Sequence, residues 1–335
     1  MASSPVGRDE AIDAAWHSLT TGVPVVVEGP AGIGKTVVWQ ALVDRAADAG
    51  RLVLTCAPTE TETALPFAAL DDVLRPLAGS LAQLPVPQRA AVEGVLLTGT
   101  PQQAVDERAV GAATRALLAS VEGPVLLAVD DAPWLDPASE RALRFALRRL
   151  PSDGPPVAVL VTRRIDDGPD PGLPLGLDDA PGRAAVRVPL GPLGVGALHH
   201  VVRARLGASL SRPLLARIAA EAHGNPLLAV EMARAVLRLP QPPRAGEDLP
   251  VPSSIRQLLG DTLATLPPAT RDAVRLAALL AVPTPADLAS AGVPSPALDA
   301  AEEAGLLAVT DRRVAFGHPL YASAVRAAIP PGVRR

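Results

Sequence analysis

The hydrophobic residues of this 335-residue chain are arranged differently in its two parts. Through about residue 190, short runs rich in Val and Leu alternate with longer segments of helical periodicity. The short runs are apolar at successive positions, which is typical of strands buried on both faces of a sheet. They predict strands at 23–27, 52–55, 125–129, 157–161 and 185–188. Helices are predicted between them, for example at 36–49 and 139–150. This alternation favours an α/β fold, a parallel sheet with helices on both faces.

Beyond about residue 190 the strand-like runs stop and helical periodicity continues. Segments such as RPLLARIAAEAHG and PLLAVEMARAVLRL predict a small all-helical unit, followed by the Pro-rich and charged segment LPQPPRAGEDLPVP. Three more helices, the hairpin-like LLAVTDRRVAFGH and a last helix then predict a winged-helix fold. We therefore expect a sheet domain, a helical lid domain, a linker and a winged-helix-like domain, at 1–190, 191–240, 241–250 and 251–335.

One glycine-rich segment, VEGPAGIGKT at 27–36, contains the single lysine among the 31 Lys and Arg residues. It fits the pattern G-x-x-x-x-G-K-[ST] and stands between a predicted strand and a predicted helix, which is the required context. The loop N–H groups and the helix N-terminus together bind a polyphosphate. Lys35 reaches the β- and γ-phosphates, and Thr36 ligates Mg²⁺. The expected nucleotide ligands are Gly29, Gly32, Ile33, Gly34, Lys35 and Thr36. The alternative, a glycine turn with an exposed lysine, does not explain the flanking strand and helix.

A second group of candidate residues ends the strands that follow. In VLLAVDD, Asp130 is placed to hold Mg²⁺ through its water shell, and Asp131 to orient or deprotonate the attacking water. The alternative is that these acids cap the next helix, a role that suits Asp136 better because Pro137 follows it. The strand VAVLVTRR ends in two arginines, and we assign Arg163 to the γ-phosphate. The other arginine is expected to be solvated. Lys35, Asp130, Asp131 and Arg163 form the predicted catalytic set.

Charge and composition exclude several classes of protein. The net charge of −4 and the pI near 5.8 lack the basic footprint of a nucleic-acid binder. A lone cysteine, Cys56, excludes an internal disulfide and a cysteine zinc cluster. The N-terminus lacks a signal pattern, and the longest apolar runs are far short of the ~20 residues that span a bilayer. We expect a cytoplasmic protein with no membrane partner.

Several motifs, in this order, resemble the AAA+-related STAND ATPases. More narrowly, the chain resembles the nucleotide-binding part of the large, MalT-like regulators of the LuxR family. The similarity covers nearly the whole chain and includes VGRDEAI, GPAGIGKT, VDDAPWLDPAS, VTRR, HGNPLLAVEMARA and FGHPLYASAV. The resemblance implies ATP/ADP and Mg²⁺ as ligands, slow hydrolysis and a switch that regulates transcription. It also implies self-association or a partner protein on activation, with DNA bound only through a C-terminal domain outside this chain.

The resemblance also implies roles that the residues alone do not assign. Val6, Gly7 and Arg8 would lie against the adenine, and Pro226 would pack near the base from the lid. His318 would contact the β-phosphate of ADP and hold the closed state. A structural explanation is equally open for Pro226, because Asn225 and Pro226 form a good N-cap and N1 pair.

Other functions compete with a nucleotide-driven switch. The chain could be a stand-alone AAA-type ATPase that acts on a protein partner. A direct DNA binder is disfavoured, because the helix PALDAAEEAGLL of the predicted winged helix is acidic and phosphates would repel it. A P-loop kinase is disfavoured because no acceptor site is visible.

Overall fold

The computed structural model describes residues 5–98, 106–150, 156–165, 172–178, 184–244, 246–280, 283–310, 313–317, 320–330 and 332. The chain divides into two compact units, Met1–Gly191 and Pro192–Arg335. The first unit ends one residue beyond the predicted sheet domain. The second contains both the predicted lid and the predicted winged-helix-like region.

The first unit is built on a five-stranded sheet whose strand pairs are all parallel. The strands are β1 (Val25–Gly29), β2 (Leu52–Cys56), β3 (Val125–Val129), β4 (Val157–Arg164) and β5 (Val186–Pro189). Their order across the sheet is β2-β3-β4-β1-β5. The five apolar runs thus form the predicted strands, and the α/β fold with a parallel sheet is confirmed. Because β4 lies between β3 and β1, the carboxyl ends of these three strands are neighbours.

Helices cover both faces of this sheet. They are α1 (Asp9–Thr20), α2 (Lys35–Asp48), α3 (Ala68–Leu74), α4 (Val86–Val95), α5 (Glu107–Ala119) and α6 (Pro137–Leu147). On one face α1 and α2 pack against Val25 and Val27, and on the other α3 to α6 pack against Val26. This alternation follows from the period of two in a strand. It fixes which face each residue at a strand end occupies.

The second unit is helical, with one antiparallel hairpin. Its elements are α7 (Val195–Leu206), α8 (Arg212–Glu221), α9 (Pro226–Leu237), α10 (Ser253–Thr265), α11 (Pro268–Leu279), α12 (Pro285–Ser290), α13 (Ser295–Glu303), β6 (Leu307–Thr310), β7 (Arg313–Phe316) and α14 (Tyr321–Ala328). One apolar cluster joins α7, α8 and α9, and another joins α10 to α14. The winged-helix assignment of this region stays a prediction.

The segment predicted as a linker packs against the helical part of the second unit. Leu249 is 8% exposed and belongs to the cluster of α7, α8 and α9. The guanidinium of Arg217 on α8 donates to the carbonyls of Arg244 and Glu247.

Across the described residues, no helix combines the length and the hydropathy needed to cross a membrane.

Candidate functional site

The glycine-rich loop connects the end of β1 to the start of α2. Gly32 and Gly34 have φ of 73° and 104°, in the left-handed region that side chains disfavour. Gly34 is the N-cap of α2 and has no side chain with which to cap it. The N-terminus of α2, the end of a helix that favours an anion, therefore lies at the end of the glycine-rich loop.

Close packing requires glycine at the first position of the motif. A Cβ added to Gly29 would lie 2.9 Å from Cγ2 of Ile33 and 3.2 Å from the carbonyl oxygen of Leu190. The first contact crosses the loop, and the second comes from the segment that leaves β5. Gly29 is thus the residue that lets the loop fold back over the end of the sheet.

Lys35 is the first residue of α2 and is only 7% exposed. Its ammonium donates to the carbonyl oxygens of Gly29 and Pro30, at 3.0 and 3.1 Å. Thr36 follows on the exposed side of the same first turn. The single lysine of the chain therefore contacts the backbone of the glycine-rich loop, the loop in which the motif places it.

The carboxylate after β3 is joined to the end of β4 by a hydrogen bond. Asp130 is 5% exposed, and its Oδ1 accepts from the hydroxyl of Thr162 at 2.6 Å. The same hydroxyl accepts from the backbone N–H of Asp131 at 2.8 Å. No sequence motif assigned a role to Thr162. The sequence shows a hydroxyl residue near the end of an apolar strand. Only the strand order shows which acid this hydroxyl contacts.

Asp131 lies among the charges of the site. Its φ of 47° is left-handed. Burial raises the pKa of the Asp131 carboxyl, and the charge of Asp130 raises it further, while Lys35 and Arg164 act in the opposite direction. Because β4 lies between β1 and β3, Asp131 lies at the same edge of the sheet as the glycine-rich loop. The predicted catalytic residues Lys35, Asp130 and Asp131 are thus brought together.

The two arginines that end β4 lie on opposite faces of the sheet. Within β4, Ala158 and Leu160 pack with α1 and α2, whereas Val159 and Val161 pack with α3 to α6. The side chains alternate. Arg164 therefore shares the face of α2 with Thr162, and Arg163 lies on the other face.

Arg163 is held in a buried ion pair. Its Nε and NH2 groups lie 3.1 and 3.0 Å from Oε1 of Glu28, and its NH1 group donates to the carbonyl of Gly172 at 2.7 Å. The side chains of Arg163 and Glu28 are each 6% exposed. The sequence pattern predicted Arg163 at the γ-phosphate, whereas in the structure Arg163 forms this ion pair. Arg164 is exposed, and it pairs in register with Gly29 of the loop.

The VGR segment lies beside the same loop. Val6 is 37% exposed, and Gly7 has a φ of 71°. Arg8 is only 8% exposed, and it donates to the carbonyl oxygens of Ile33 and Gly191, each at 2.8 Å. Burial lowers the pKa of the Arg8 guanidinium. The expected contact of these residues with adenine is not tested by this geometry.

Two predicted ligands belong to the second unit. Pro226 is the first residue of α9, and Oδ1 of Asn225 accepts from the N–H groups of Leu227 and Leu228. The N-cap explanation of the GNP segment is therefore confirmed, and the contact of Pro226 with a base stays a prediction. His318 lies outside the described residues.

Asp136 caps α6, as its position before a proline predicts. Its Oδ1 accepts from the N–H of Ser139 at 2.9 Å. The same carboxylate also accepts from the N–H groups of Phe67 and Ala69, at 2.8 and 3.3 Å, and so reaches the start of α3. Asp136 is 1% exposed and therefore fixes two helices on one face of the sheet.

Comparison with known proteins agrees with this geometry. Residues 4–161 match the family described as the AAA ATPase domain. The structure is similar to a Walker-type ATPase of Pyrococcus abyssi, with a TM-score of 0.53, 15% identity and 96% of each chain covered. No curated protein sequence matches the chain.

Two further solved structures have lower TM-scores. The Orc1 protein of Aeropyrum pernix in complex with DNA has a TM-score of 0.47 and 14% identity, covering 96% of this chain and 93% of the other. A STAND protein of Pyrococcus horikoshii with a tetratricopeptide repeat sensor has a TM-score of 0.40 and 15% identity. That alignment covers 97% of this chain and 43% of the other.

The parallel sheet, the glycine-rich loop that opens α2 and the acid that ends β3 define the P-loop NTPase fold. Within that class, residues 4–161 are similar to the AAA ATPase domain.

Proposed function

We propose that this chain is a slowly hydrolysing, ATP-dependent switch of the STAND type and the regulatory module of a LuxR-family regulator. The observation that carries the nucleotide part is the placement of Lys35 and of the hydrogen-bonded pair of Asp130 and Thr162 at one edge of the parallel sheet. The buried ammonium follows β1 and the buried carboxylate follows β3, with the end of β4 between them. The regulator part rests on the resemblance of the motifs.

The residues of the site fit a polyphosphate with a divalent cation. The N–H groups of the loop and the ammonium of Lys35 would hold the phosphates of ATP or ADP. The hydroxyl of Thr36 and the carboxylate of Asp130 are oxygen donors of the kind that Mg²⁺ prefers. Mg²⁺, when bound, neutralises charge that develops on the phosphate oxygens.

Asp131 is the residue that we assign to the attacking water. A carboxylate whose pKa is raised is a better general base than an ordinary one. Its backbone is fixed by Thr162, so the short side chain has limited reach. Many fast ATPases have Glu at this position, and we therefore expect slow hydrolysis, as a switch requires.

The γ-phosphate needs a cation at the end of β4, and two candidates are available. The sequence favoured Arg163. The shared face with α2 and the coupling to Asp131 favour Arg164, and we propose that Arg164 senses the γ-phosphate.

The switch also needs contacts that hold ADP. We propose that Val6 and Gly7 lie against the base, that Pro226 packs near it, and that His318 contacts the β-phosphate. His318→Ala should then weaken the retention of ADP more than the binding of ATP. Equal effects on both nucleotides would remove His318 from the switch.

Nucleotide content and affinity test the proposed function. Purified protein should release ADP or ATP on denaturation, as chromatography of the supernatant would show. Lys35→Ala should lower the affinity for ATP at least roughly tenfold, since a charged hydrogen bond contributes about 1.5–3 kcal/mol. Arg45→Ala, also on α2 but in an exposed ion pair with Asp13, is the matched control. Wild-type protein that neither carries nor binds nucleotide would refute the proposal.

A further inference from the structure

We propose that Arg8 is a positioning residue for the phosphate-binding loop, acting through the carbonyl of Ile33, and not a residue that reads the base. This inference rests on the proposed nucleotide site. It assigns Arg8 a role different from the adenine contact that the resemblance implies.

The contacts of Arg8 are directed at backbone carbonyls. NH2 donates to the oxygen of Ile33 and NH1 to the oxygen of Gly191, residues that are 25 and 183 positions away in the chain. The guanidinium is buried within the first unit, and its residue is 8% exposed. Two of its nitrogen atoms therefore donate hydrogen bonds to the backbone of the first unit.

The carbonyl of Ile33 belongs to the part of the loop whose backbone conformation most needs to be stabilised. Ile33 stands between Gly32 and Gly34, whose left-handed φ values show that the chain turns at both neighbours. Glycine has the largest conformational freedom to lose, so this segment has little intrinsic preference for one shape. A peptide flip here would turn a carbonyl oxygen toward a bound phosphate. A cation that holds this carbonyl by a hydrogen bond resists the flip.

The second acceptor links the loop to the end of β5. The N–H of Leu190 donates to the carbonyl of Glu28 at 2.7 Å, and the Leu190 carbonyl lies close to Gly29. Gly191 is the next residue, and it accepts from Arg8. One guanidinium therefore holds the glycine-rich loop against the segment that supports it from behind.

A positioning role and a base-reading role differ in which ligands they affect. A loop held in the wrong shape weakens every ligand that presents a polyphosphate. A lost contact with adenine weakens ATP and leaves a ligand without a base unchanged. Inorganic triphosphate, which has no base, separates the two.

The experiment compares wild-type protein, Arg8→Met and Arg8→Lys in titrations with ATP, GTP and inorganic triphosphate, each with Mg²⁺. We expect Arg8→Met to lose roughly tenfold or more in affinity for all three, since one charged hydrogen bond has about that effect. The ratio of ATP to GTP affinity should not change. Arg8→Lys should recover part of the loss, because an ammonium can still donate to one carbonyl. Arg45→Met, in an exposed ion pair on α2, should bind as the wild type does.

Three results would overturn the inference. They are unchanged affinity for triphosphate in both Arg8 variants, a loss confined to ATP, and a changed ratio of ATP to GTP. If Arg8→Met does not fold, as circular dichroism would show, the Lys variant gives the same comparison. Wild-type protein that binds none of the three ligands would refute the proposed function together with this inference.

Discussion

The hydroxyl of Thr162 donates to Oδ1 of Asp130 at 2.6 Å. Thr162 is fully buried and Asp130 nearly so. A buried carboxylate needs hydrogen-bond donors to offset the loss of its hydration. This bond therefore holds the proposed Mg²⁺ ligand in place, although the two residues are 32 positions apart.

Removing the Thr162 hydroxyl should damage hydrolysis more than nucleotide binding. Thr162→Val keeps the shape but leaves Asp130 without this donor, at a cost of about 1–3 kcal/mol in the free energy of unfolding. Urea unfolding and steady-state phosphate release would measure the two effects. Thr162→Ser keeps the hydroxyl and is the control. A Val variant that hydrolyses ATP at the wild-type rate would show that the bond does not position the acid.

Substitution of Arg163 should act on stability. Loss of one partner from a buried ion pair costs about 3–5 kcal/mol, and the half-exposed Arg187, 3.8 Å from Oε1 of Glu28, compensates only part of the remaining charge. Arg163→Met should therefore unfold at a much lower urea concentration. Adding Glu28→Leu removes the orphaned charge and should restore much of the loss. If Arg163→Met is instead as stable as the wild type and loses ATP affinity alone, the γ-phosphate role returns to Arg163.

Substitution of Arg164 should act on nucleotide discrimination. The residue is exposed, so Arg164→Met should leave the free energy of unfolding within about 0.5 kcal/mol of the wild type. Its affinity for ATP should fall roughly tenfold relative to its affinity for ADP, since we propose that its charge faces the third phosphate. Competition titrations with both nucleotides would measure this ratio. An unchanged ratio would exclude Arg164 as the sensor.

The raised pKa of Asp131 predicts how stability depends on pH. A folded carboxyl with a raised pKa holds its proton more tightly than the unfolded chain does. Its contribution to the free energy of unfolding therefore falls as the pH rises from the unfolded pKa, about 3.9, through the folded one. Asp131→Asn removes this effect and also suits the left-handed backbone.

Thermal melts of wild type and Asp131→Asn across pH would test this. The variant should melt higher at neutral pH, and the difference should shrink as the pH falls toward about 4. It should also hydrolyse ATP more slowly, because the proposed base is gone. A variant less stable than the wild type at neutral pH would contradict the electrostatic account.

Substitution of Asp136 tests the stability of the fold, separately from nucleotide binding. Its carboxylate serves the first turns of both α6 and α3. Asp136→Ala should cost more than a single N-cap, about 2–3 kcal/mol. Asp136→Asn keeps one oxygen acceptor and should cost less. Equal urea midpoints for Ala and wild type would show that the cap contributes little.

The sequence by itself determined the elements and the phosphate-binding loop. Runs of buried Val and Leu, the glycines around Lys35 and the proline after Asp136 are local patterns, and local backbone preferences act over a few residues. Helix bounds shifted only slightly, for example from the predicted 139–150 to Pro137–Leu147, because Asp136 caps the helix earlier. The acids after β3 were also predictable from the sequence, because a buried strand that ends in charged residues is unusual.

Only the tertiary structure decided which side chains meet. The sequence alone does not distinguish Arg163 from Arg164, whereas the packing of β4 places them on opposite faces of the sheet. Thr162 gained its role because β4 lies beside β3, and Arg8 because its acceptors come from distant parts of the chain. Strand order and long-range hydrogen bonds depend on the whole fold. A local pattern can name a residue's chemistry, and the fold then determines its partner.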